Sequence, residues 1–464
     1  MERALQKLLR CAKRARLIVA CASISCSVIR RSVGRRAMQE AHDALEKRTD
    51  VLDKHLMKAV VLGAGGMGRY AARTAAAQDF IEELVVGDLD GGAAGALAGR
   101  LGNKARGAAV DVLNEKSLLD LLAGADAVLN TVGPFFRLGP PVLRAAVRAG
   151  VHYLDINDDW ESTEAMLALD EEARAAGITA VIGVGASPGM SNMLACLAMR
   201  ELDEVDEVIA GFDLDAAMPE QRGDKPAAAT VHGLHQLSGR IRVFENGAFA
   251  QAKPQRRVDF DYPGLGPRTG WTMGHPEAVT FPRAFPQLRS ARVVMTMAPS
   301  NRIAVRVLTG LIDAGLVPLE RAARWVERLE GVGKPVKTPA DYIAEILDEA
   351  ASRLPPVFAV AKGRRQGRPA TIAGTVRSAP PLGMGGATGV PLAVGLGIVR
   401  PELGTKCGVF APEAILDPVA FFDALAPLCE PVCQSSDDLV VLTRSWDATN
   451  LATALSRAKE LSAH

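Results

Sequence analysis

A glycine-rich turn between two apolar segments constrains this chain more than any other feature of its sequence. Residues 58–62 form a short apolar strand, and the turn Gly63-Ala-Gly65-Gly66-Met67-Gly68 follows it directly. A second apolar segment ends in Asp88, twenty residues after Gly68. A strand, a glycine turn, a helix and a second strand ending in an acid form a Rossmann dinucleotide-binding unit at this spacing. The alternative is a glycine turn with a structural role only.

The turn residues have separate predicted roles in holding the cofactor. Gly63 permits the tight turn off the strand, Gly65 lets a pyrophosphate approach the backbone, and Gly68 lets the helix pack close to the sheet. The phosphates are expected at the helix N-terminus, where unpaired N–H groups favour negative charge. We therefore assign these turn residues to cofactor binding: Gly63, Gly65, Gly66, Met67 and Gly68.

The acid at the end of the second strand bears on the choice of cofactor. The Asp88 carboxylate can accept hydrogen bonds from both ribose hydroxyls and would repel a 2′-phosphate, which favours NAD over NADP. Asp90 is the alternative acid for this role, and either one is otherwise an ordinary turn residue. Asp111, which follows a strand predicted over residues 108–110, is added to the cofactor-binding residues.

Composition limits the class of protein that the chain can be. The 464 residues are 48% hydrophobic, which is enough for two domains with a large core. The formal net charge of +1 argues against nucleic acid as a main partner. The seven cysteines are scattered and lack metal-binding spacing, so reduced thiols and a cytoplasmic location are expected. No apolar stretch has the length of a transmembrane helix, so no membrane partner is expected.

The first 56 residues differ from the rest of the chain. Residues 1–39 hold ten Lys or Arg and one acid, and an apolar run of residues 17–29 lies among them. This pattern fits a signal or transit segment, or a short membrane-surface anchor. Because Met57 directly precedes the first Rossmann strand, we favour a poorly ordered, non-native extension that begins at an upstream start codon.

The order of predicted elements indicates an α/β protein. Strands alternate with helices over residues 57–195, which predicts a Rossmann doubly wound parallel sheet that binds NAD(P). Residues 196–384 have a mixed pattern and predict a second α+β domain with a mixed sheet, including a helix over residues 340–352. Residues 385–464 are expected to return to the Rossmann domain, beginning with an apolar helix over residues 390–398.

Three segments are expected at the carboxyl ends of the Rossmann strands, where ligands bind in such sheets. The first holds Asn130, Gly133 and Pro134 and follows the fourth strand, so these residues are predicted near the nicotinamide ribose. The other two follow the fifth and sixth strands. They contribute Asp155 and Asp158, and then Pro188 and Gly189 at the start of a helix. The alternative for both acids is an N-cap role, and for the glycine–proline pairs a structural turn.

A histidine outside the Rossmann domain is a candidate for proton transfer. His275 lies in the segment Gly274-His275-Pro276-Glu277, which is predicted to be an irregular loop. Histidine titrates near neutral pH and suits proton transfer during amine oxidation, and Asp155 is the other candidate. No His and Cys cluster with metal-ligand spacing is present, so we expect hydride transfer without a metal. Four arginines are candidates for holding a substrate carboxylate: Arg137, Arg222, Arg268 and Arg283.

Several segments together resemble the saccharopine dehydrogenase-like family, which includes saccharopine reductases, lysine 6-dehydrogenases and carboxynorspermidine synthases. They are the glycine turn, Gly133-Pro134-Phe135, Gly150-Val-His-Tyr-Leu-Asp155, Gly185-Ala-Ser-Pro188-Gly189-Met-Ser-Asn192, Gly274-His275-Pro276-Glu277 and Gly408-Val-Phe-Ala-Pro-Glu413. The resemblance implies an NAD(P)-dependent oxidoreductase of amino-acid metabolism that acts at a C–N bond of an amino acid or imine. It also implies a homodimer. We assign to the substrate Phe135, Asp158, Pro188, Gly189 and Arg283.

The chain departs from this family at two places. Saccharopine reductases commonly carry a Ser-Arg pair after the second strand, whereas this chain has Gly87-Asp88 and in this respect resembles lysine 6-dehydrogenases. Relatives often show Gly-Glu after the fifth strand, where this chain has Asn157-Asp158-Asp159. Two other functions stay open: a nucleotide-binding family member without turnover, and a membrane-associated protein that uses residues 1–36.

Overall fold

The computed structural model describes residues 56–215, 228–330, 354–447, 451 and 453–455. The basic extension before Leu56, the helix predicted over residues 340–352 and Arg222 lie outside the described residues. The described residues from Met57 onward belong to one compact unit.

The first sheet contains seven parallel strands, numbered here in chain order. Their order across the sheet is β15, β6, β5, β4, β1, β2, β3, which confirms the predicted parallel sheet. The strands at its centre are buried on both faces, as near-continuous apolar runs require. Their bounds are β1 Met57–Leu62, β2 Ile81–Asp88, β3 Ala105–Ala109, β4 Ala127–Asn130, β5 His152–Asp155, β6 Thr179–Val181 and β15 Gly408–Phe410.

Helices connect these strands, and local sequence explains where two of them begin. The Asn114 side chain accepts the N–H of Ser117 at 3.1 Å and so caps the helix over residues 115–122. The Asp90 side chain caps the preceding helix in the same way. The helices are α1 Gly68–Ala76, α2 Gly91–Leu101, α3 Glu115–Leu122, α4 Phe135–Ala149, α5 Trp160–Leu167, α6 Asp170–Ala175 and α7 Met190–Arg200.

The second sheet is mixed, as predicted. Its main path runs β10, β11, β12, β7, β13, β14, β16, with β8 paired to β12 and to β9. Strands β12 and β7 are parallel, and the other pairs are antiparallel. The bounds are β7 Glu204–Asp213, β8 Ile241–Glu245, β9 Ala248–Ala252, β10 Arg257–Tyr262, β11 Gly266–Thr272, β12 Ser290–Thr296, β13 Val357–Arg365, β14 Arg368–Val376 and β16 Val440–Arg444.

The helices of this second part are α8 Ala228–Gln236, α9 Glu277–Ala284, α10 Pro299–Asp313 and α11 Leu319–Glu330. His275 lies in an irregular segment, as predicted, but Glu277, which was predicted in the same loop, begins α9. Pro282 inside α9 hides the helix from sequence reasoning. Burial of Ala278, Val279 and Phe281 stabilises the helix nonetheless.

The C-terminal part contacts both sheets. Helix α12 Gly383–Val399 contains the apolar helix predicted over residues 390–398, and it packs on α1. A Cβ atom on Gly389 would lie 2.2 Å from the carbonyl oxygen of Met67, so only glycine permits this close approach. Strand β15 joins the first sheet, whereas β16 joins the second. The remaining helices are α13 Pro412–Ile415, α14 Pro418–Leu425 and α15 Ser436–Leu439, with 3₁₀ turns at Arg400–Glu402 and Ala426–Leu428.

Two further observations concern the described residues alone. None of their helices is at once long enough and apolar enough to cross a membrane. The cysteines among them carry free thiols: Cys196, Cys407, Cys429 and Cys433.

Candidate active site

The glycine turn has the geometry that a dinucleotide requires. Gly63 has a φ of +99°, and a Cβ atom on Gly68 would lie 1.9 Å from the carbonyl oxygen of Gly63, so both positions favour glycine. A Cβ atom on Gly65 would meet nothing within 4 Å, so this residue faces open space above the turn. Helix α1 begins at Gly68 and is preceded by Met67, and its first N–H groups lie at this turn. The turn therefore fits a pyrophosphate group.

The two acids considered for the ribose have different surroundings. The Asp88 carboxylate accepts the N–H of Ala64 at 2.6 Å, which places it against the glycine turn. The Asp90 carboxylate accepts N–H groups of the first turn of α2 and serves as its N-cap. Asp88 is therefore the better placed of the two. Asp111 is exposed after β3 and accepts the N–H of Leu113 at 2.9 Å.

A buried chain of hydrogen bonds joins the ends of the central strands. The amide of Asn130 donates to the hydroxyl of Tyr153 at 3.0 Å, and that hydroxyl donates to Oδ2 of Asp155 at 2.7 Å. Oδ1 of Asp155 accepts the N–H groups of Asn157 at 3.0 Å and Gly183 at 2.7 Å. Burial raises the pKa of Asp155 to about 7, although these donors lower it. Three donors engage this carboxylate and the side chain is fully buried, so Asp155 is poorly accessible to a substrate.

The loop after β4 is held by two side chains that are distant in sequence. The N–H of Phe135 donates to Nε2 of His232 at 3.1 Å, and the N–H of Phe136 donates to Oδ2 of Asp159 at 2.9 Å. Nδ1 of His232 lies 2.7 Å from Oδ1 of Asp158. The predicted residues Gly133, Pro134, Phe135 and Asp158 are thereby brought together with His232, which sequence reasoning missed.

His232 lies on helix α8, and its ring is placed between the carboxylates of Asp158 and Asp159. Burial alone would lower the pKa of His232, but the charges of Asp158 and Asp159 raise it to about 9. Its Nε2 atom accepts the N–H of Phe135, however, and only a neutral imidazole has a lone pair there. The hydrogen-bond geometry therefore assigns the proton to Nδ1, next to Asp158. Burial also raises the pKa of Asp159 to about 6.

These three side chains have the composition of a metal site, but His232 has no ring nitrogen free for a metal ion. Ligand atoms of Asp158, Asp159 and His232 all lie within 4.8 Å of one another. Both ring nitrogens of His232 are already engaged, one with Asp158 and one with the N–H of Phe135. A metal ion would have to displace one of these contacts.

A second histidine forms a buried pair with a glutamate. Nδ1 of His275 forms a very short contact with Oε2 of Glu277. The other oxygen of Glu277 accepts the hydroxyl groups of Ser187 at 2.7 Å and Ser191 at 2.8 Å. The predicted segment around Pro188 and Gly189 therefore lies beside the predicted histidine.

His275 and Glu277 each favour the charged form of the other. Burial alone would lower the pKa of His275, but Glu277, Asp158 and Asp159 raise it above its ordinary value. Burial alone would raise the pKa of Glu277, but His275 and Ser187 hold it below its ordinary value. Within the described ranges, Nε2 of His275 takes part in no hydrogen bond. The N–H of Gly274 donates to the backbone carbonyl of Gln236 at 2.9 Å, and the side-chain amide of Gln236 donates to the carbonyl of Asp158 at 2.6 Å, so the segments that carry the two histidines are joined at one site.

The C-terminal motif of the chain also reaches this site. Oε2 of Glu413 accepts the amide of Asn192 at 2.7 Å, and Asn192 in turn accepts the N–H of Gly189 at 2.8 Å. Burial raises the pKa of Glu413 to about 7. These contacts fix the start of helix α7, which carries Ser191 toward Glu277.

The three described arginine candidates lie at different distances from the site. Arg283 is exposed in the last turn of α9, about 9 Å along the helix from Glu277 at a rise of 1.5 Å per residue. Arg137 instead lies beside the loop after β4, where its guanidinium group stacks on Phe136 and pairs with Glu320 at 2.9 Å. Arg268 lies on β11, and its guanidinium group donates to a backbone carbonyl. Of these three, Arg137 is the one next to the site.

Comparison with known proteins matches the first sheet and its glycine turn to a dinucleotide-binding domain. Residues 59–181 match the saccharopine dehydrogenase NADP binding domain. The chain is 23% identical over 308 residues to a carboxyaminopropylagmatine dehydrogenase of Synechocystis sp., covering 64% of this chain and 74% of that protein. It is 25% identical over 259 residues to a carboxynorspermidine synthase of Vibrio alginolyticus, covering 50% of this chain and 61% of that protein.

A solved structure shows the same fold. Apo saccharopine dehydrogenase (L-Glu forming) from Saccharomyces cerevisiae superposes with a TM-score of 0.52 at 15% identity, covering 79% of this chain and 96% of that chain. These matches confirm the predicted resemblance to the saccharopine dehydrogenase-like family and the predicted combination of a Rossmann sheet with a second mixed sheet.

Proposed function

We propose that this chain, a saccharopine dehydrogenase-like protein with an NAD(P)-binding domain, transfers hydride at a C–N bond of an amino acid or imine. The observation that carries this proposal is the buried His275–Glu277 pair, whose segment is joined by hydrogen bonds of Gln236 to Asp158, beside the loop after β4. The names of the two relatives describe carboxylated polyamines, and the name of the solved structure describes saccharopine. All of these are amines that carry a carboxylate, so we propose a substrate of this class.

The residues at the carboxyl edge of the first sheet would hold the cofactor. The glycine turn binds the pyrophosphate at Gly65, and Asp88 binds the adenosine ribose. Asn130 ends β4, and Gly133 and Pro134 lie in the loop that follows, where the nicotinamide ribose would bind. When bound there, the nicotinamide cofactor accepts or donates the hydride.

His275 would move the proton that accompanies the hydride. Its Nδ1–H group donates to Glu277, so Nε2 keeps a lone pair. In the oxidative direction the substrate carbon loses a hydride with two electrons, the nitrogen loses a proton to Nε2, and a C=N bond forms. In the reductive direction the same atom returns the proton to nitrogen. Glu277 stabilises the protonated ring, and Ser187 and Ser191 hold Glu277 in place.

For the cofactor we propose a preference for NAD. The matched domain is described as NADP binding, but a carboxylate at position 88 would repel the 2′-phosphate of NADP. The carboxylate already accepts the N–H of Ala64, so it is fixed next to the turn rather than free to move away.

The experiment that tests the proposal is a substrate panel with the full-length protein. The absorbance of the reduced nicotinamide is followed with NAD⁺ or NADP⁺ against lysine, saccharopine, carboxynorspermidine and carboxyaminopropylagmatine, and in the reverse direction with the matching aldehyde and amine pairs. Turnover with one substrate supports the proposal and identifies the substrate. Cofactor binding without turnover on any of them would favour the nucleotide-binding member without catalysis.

A further inference from the structure

We propose that His232 is a positioning residue, whose neutral imidazole holds residues 133–136 where the nicotinamide requires them. This inference rests on the proposed function, because it concerns the loop that would contact the cofactor. His232 itself lies on α8, outside the first sheet, and it is 4% exposed.

The start of helix α4 explains why a partner is needed. The first N–H groups of a helix have no partner within the helix, and a side chain at the N-cap usually accepts one of them. The N-cap of α4 is Pro134, which offers no side-chain acceptor. The N–H of Phe135 is accepted by Nε2 of His232, and the N–H of Phe136 by Oδ2 of Asp159. The side chains of His232 and Asp159 therefore accept the N–H groups that an N-cap side chain would usually accept.

Contacts on both sides of the imidazole fix its orientation. Nδ1 of His232 donates to Asp158 at 2.7 Å, and the backbone carbonyl of Asp158 accepts the amide of Gln236 at 2.6 Å. Phe136 stacks on the ring of His235 with centroids 4.5 Å apart. Helix α8 therefore holds both the turn after β5 and the loop after β4, and a shift of α8 would move the loop.

The role depends on which nitrogen carries the proton. Asp158 and Asp159 both face His232, and His235 lies on the same helix next to Phe136. A proton on Nε2 would place one N–H group against another and break the contact with Phe135. The ring can hold the loop only with its proton on Nδ1, where Asp158 accepts it.

Two amide substitutions test separately the contact of His232 with Phe135 and its contact with Asp158. In His232→Gln the side-chain oxygen reaches the position of Nε2 and can accept the N–H of Phe135. In His232→Asn the shorter amide reaches the position of Nδ1 and can donate to Asp158, but it cannot reach Phe135. Both variants lose the imidazole, but only His232→Gln keeps an acceptor for the N–H of Phe135, and thermal unfolding measures any difference in packing between them.

The test compares both variants with the wild-type protein, in full length, on the substrate identified by the panel. We expect His232→Gln to keep kcat close to wild type, and His232→Asn to lower kcat by tenfold to about 100-fold, as a misplacement of about 1 Å does. We also expect a larger primary isotope effect with deuterated cofactor in His232→Asn. Equal kcat values in the two variants, with equal thermal unfolding temperatures, would overturn the inference.

The outcome remains decisive if the proposed function fails. When the wild-type protein binds NADH without turnover, the proposed chemistry is wrong, and the inference is tested by NADH fluorescence titration instead. We then expect weaker binding in His232→Asn than in His232→Gln, and equal affinities would overturn it. A wild-type protein that binds neither NADH nor NADPH would refute both proposals.

Discussion

Glu277 lies two residues after His275 and contacts its Nδ1 atom in a site where both side chains are almost completely buried. A buried carboxylate next to an imidazole stabilises the imidazolium form and fixes the tautomer of the neutral form. The pair comes from the start of a single helix, yet its orientation depends on Ser187 and Ser191 from another part of the chain.

Replacing Glu277 by Gln should change the pH dependence of catalysis as well as its rate. Glu277 raises the pKa of His275, so its loss should lower that pKa. In amine oxidation the neutral ring accepts the proton, so the acidic limb of the kcat/KM profile should move to lower pH. The profile is measured for wild type and for Ser187→Ala as a matched control, which keeps the carboxylate. An unchanged acidic limb in Glu277→Gln would contradict the assigned role.

Asp155 should prove to be structural. In Asp155→Asn the side-chain oxygen can still accept the N–H groups of Asn157 and Gly183, and the amide can donate to Tyr153. We therefore expect near-normal turnover in Asp155→Asn and lower stability in Asp155→Ala, by about 1–3 kcal/mol for the donors left unpaired. Activity assays and denaturant unfolding measure the two effects. Loss of turnover in a stable Asp155→Asn protein would instead support Asp155 as the proton-transfer group.

The same residue should contribute to the pH dependence of stability. Because burial raises its pKa to about 7, folded Asp155 keeps a proton that the unfolded chain has released above its ordinary pKa of about 4. Its contribution to the free energy of unfolding is therefore greatest at low pH, falls as pH rises through this window, and is constant above about pH 7. Denaturant unfolding of wild type and Asp155→Asn from mildly acidic to mildly alkaline pH measures the difference. A difference that does not change with pH would contradict the raised pKa.

Substitutions in the glycine turn should separate cofactor binding from folding. A Cβ atom on Gly65 meets nothing, so Gly65→Ala should leave thermal stability unchanged while it obstructs the pyrophosphate and weakens NADH binding. A Cβ atom on Gly68 would clash with the backbone of Gly63, so Gly68→Ala should destabilise the protein itself. Thermal unfolding and NADH titration are measured for both. Unchanged NADH affinity in Gly65→Ala would remove the pyrophosphate from this turn.

The acid after β2 should control the choice between NAD and NADP. Asp88→Ser removes the carboxylate that would repel the 2′-phosphate of NADP, and Leu89→Arg supplies a cation for that phosphate. Leu89 is 75% exposed, so its replacement should not disturb the core. We expect the ratio of kcat/KM values for the two cofactors to shift toward NADP. Leu89→Lys in the presence of Asp88 is the control. A preference that stays unchanged in the double variant would mean that another residue contacts the ribose.

Local sequence signals predict the parts of this protein that depend on local structure. The glycine turn and the alternation of strands and helices each follow from residues close together in the chain. Helix α9 was hidden by Pro282, because its stability comes from the burial of its apolar face and not from helix propensity.

The contacts that assemble the site join residues far apart in the chain, so local sequence signals do not predict them. His232 meets Phe135 across 97 positions of sequence, and Ser187 meets Glu277 across 90. The one sequence signal for His232 is its position four residues before Gln236, which places both on one face of α8. Nothing in the sequence shows that this face covers the turn after β5. Tertiary packing decides it.

The most direct test of the account is the rate of hydride transfer in His275→Asn, measured with the substrate that the wild-type protein uses. The account predicts that turnover falls by about 100-fold to 10,000-fold, the usual contribution of a general acid–base group, while NADH affinity stays close to wild type. Turnover near the wild-type rate in a variant that binds NADH normally would contradict the central claim that His275 moves the proton.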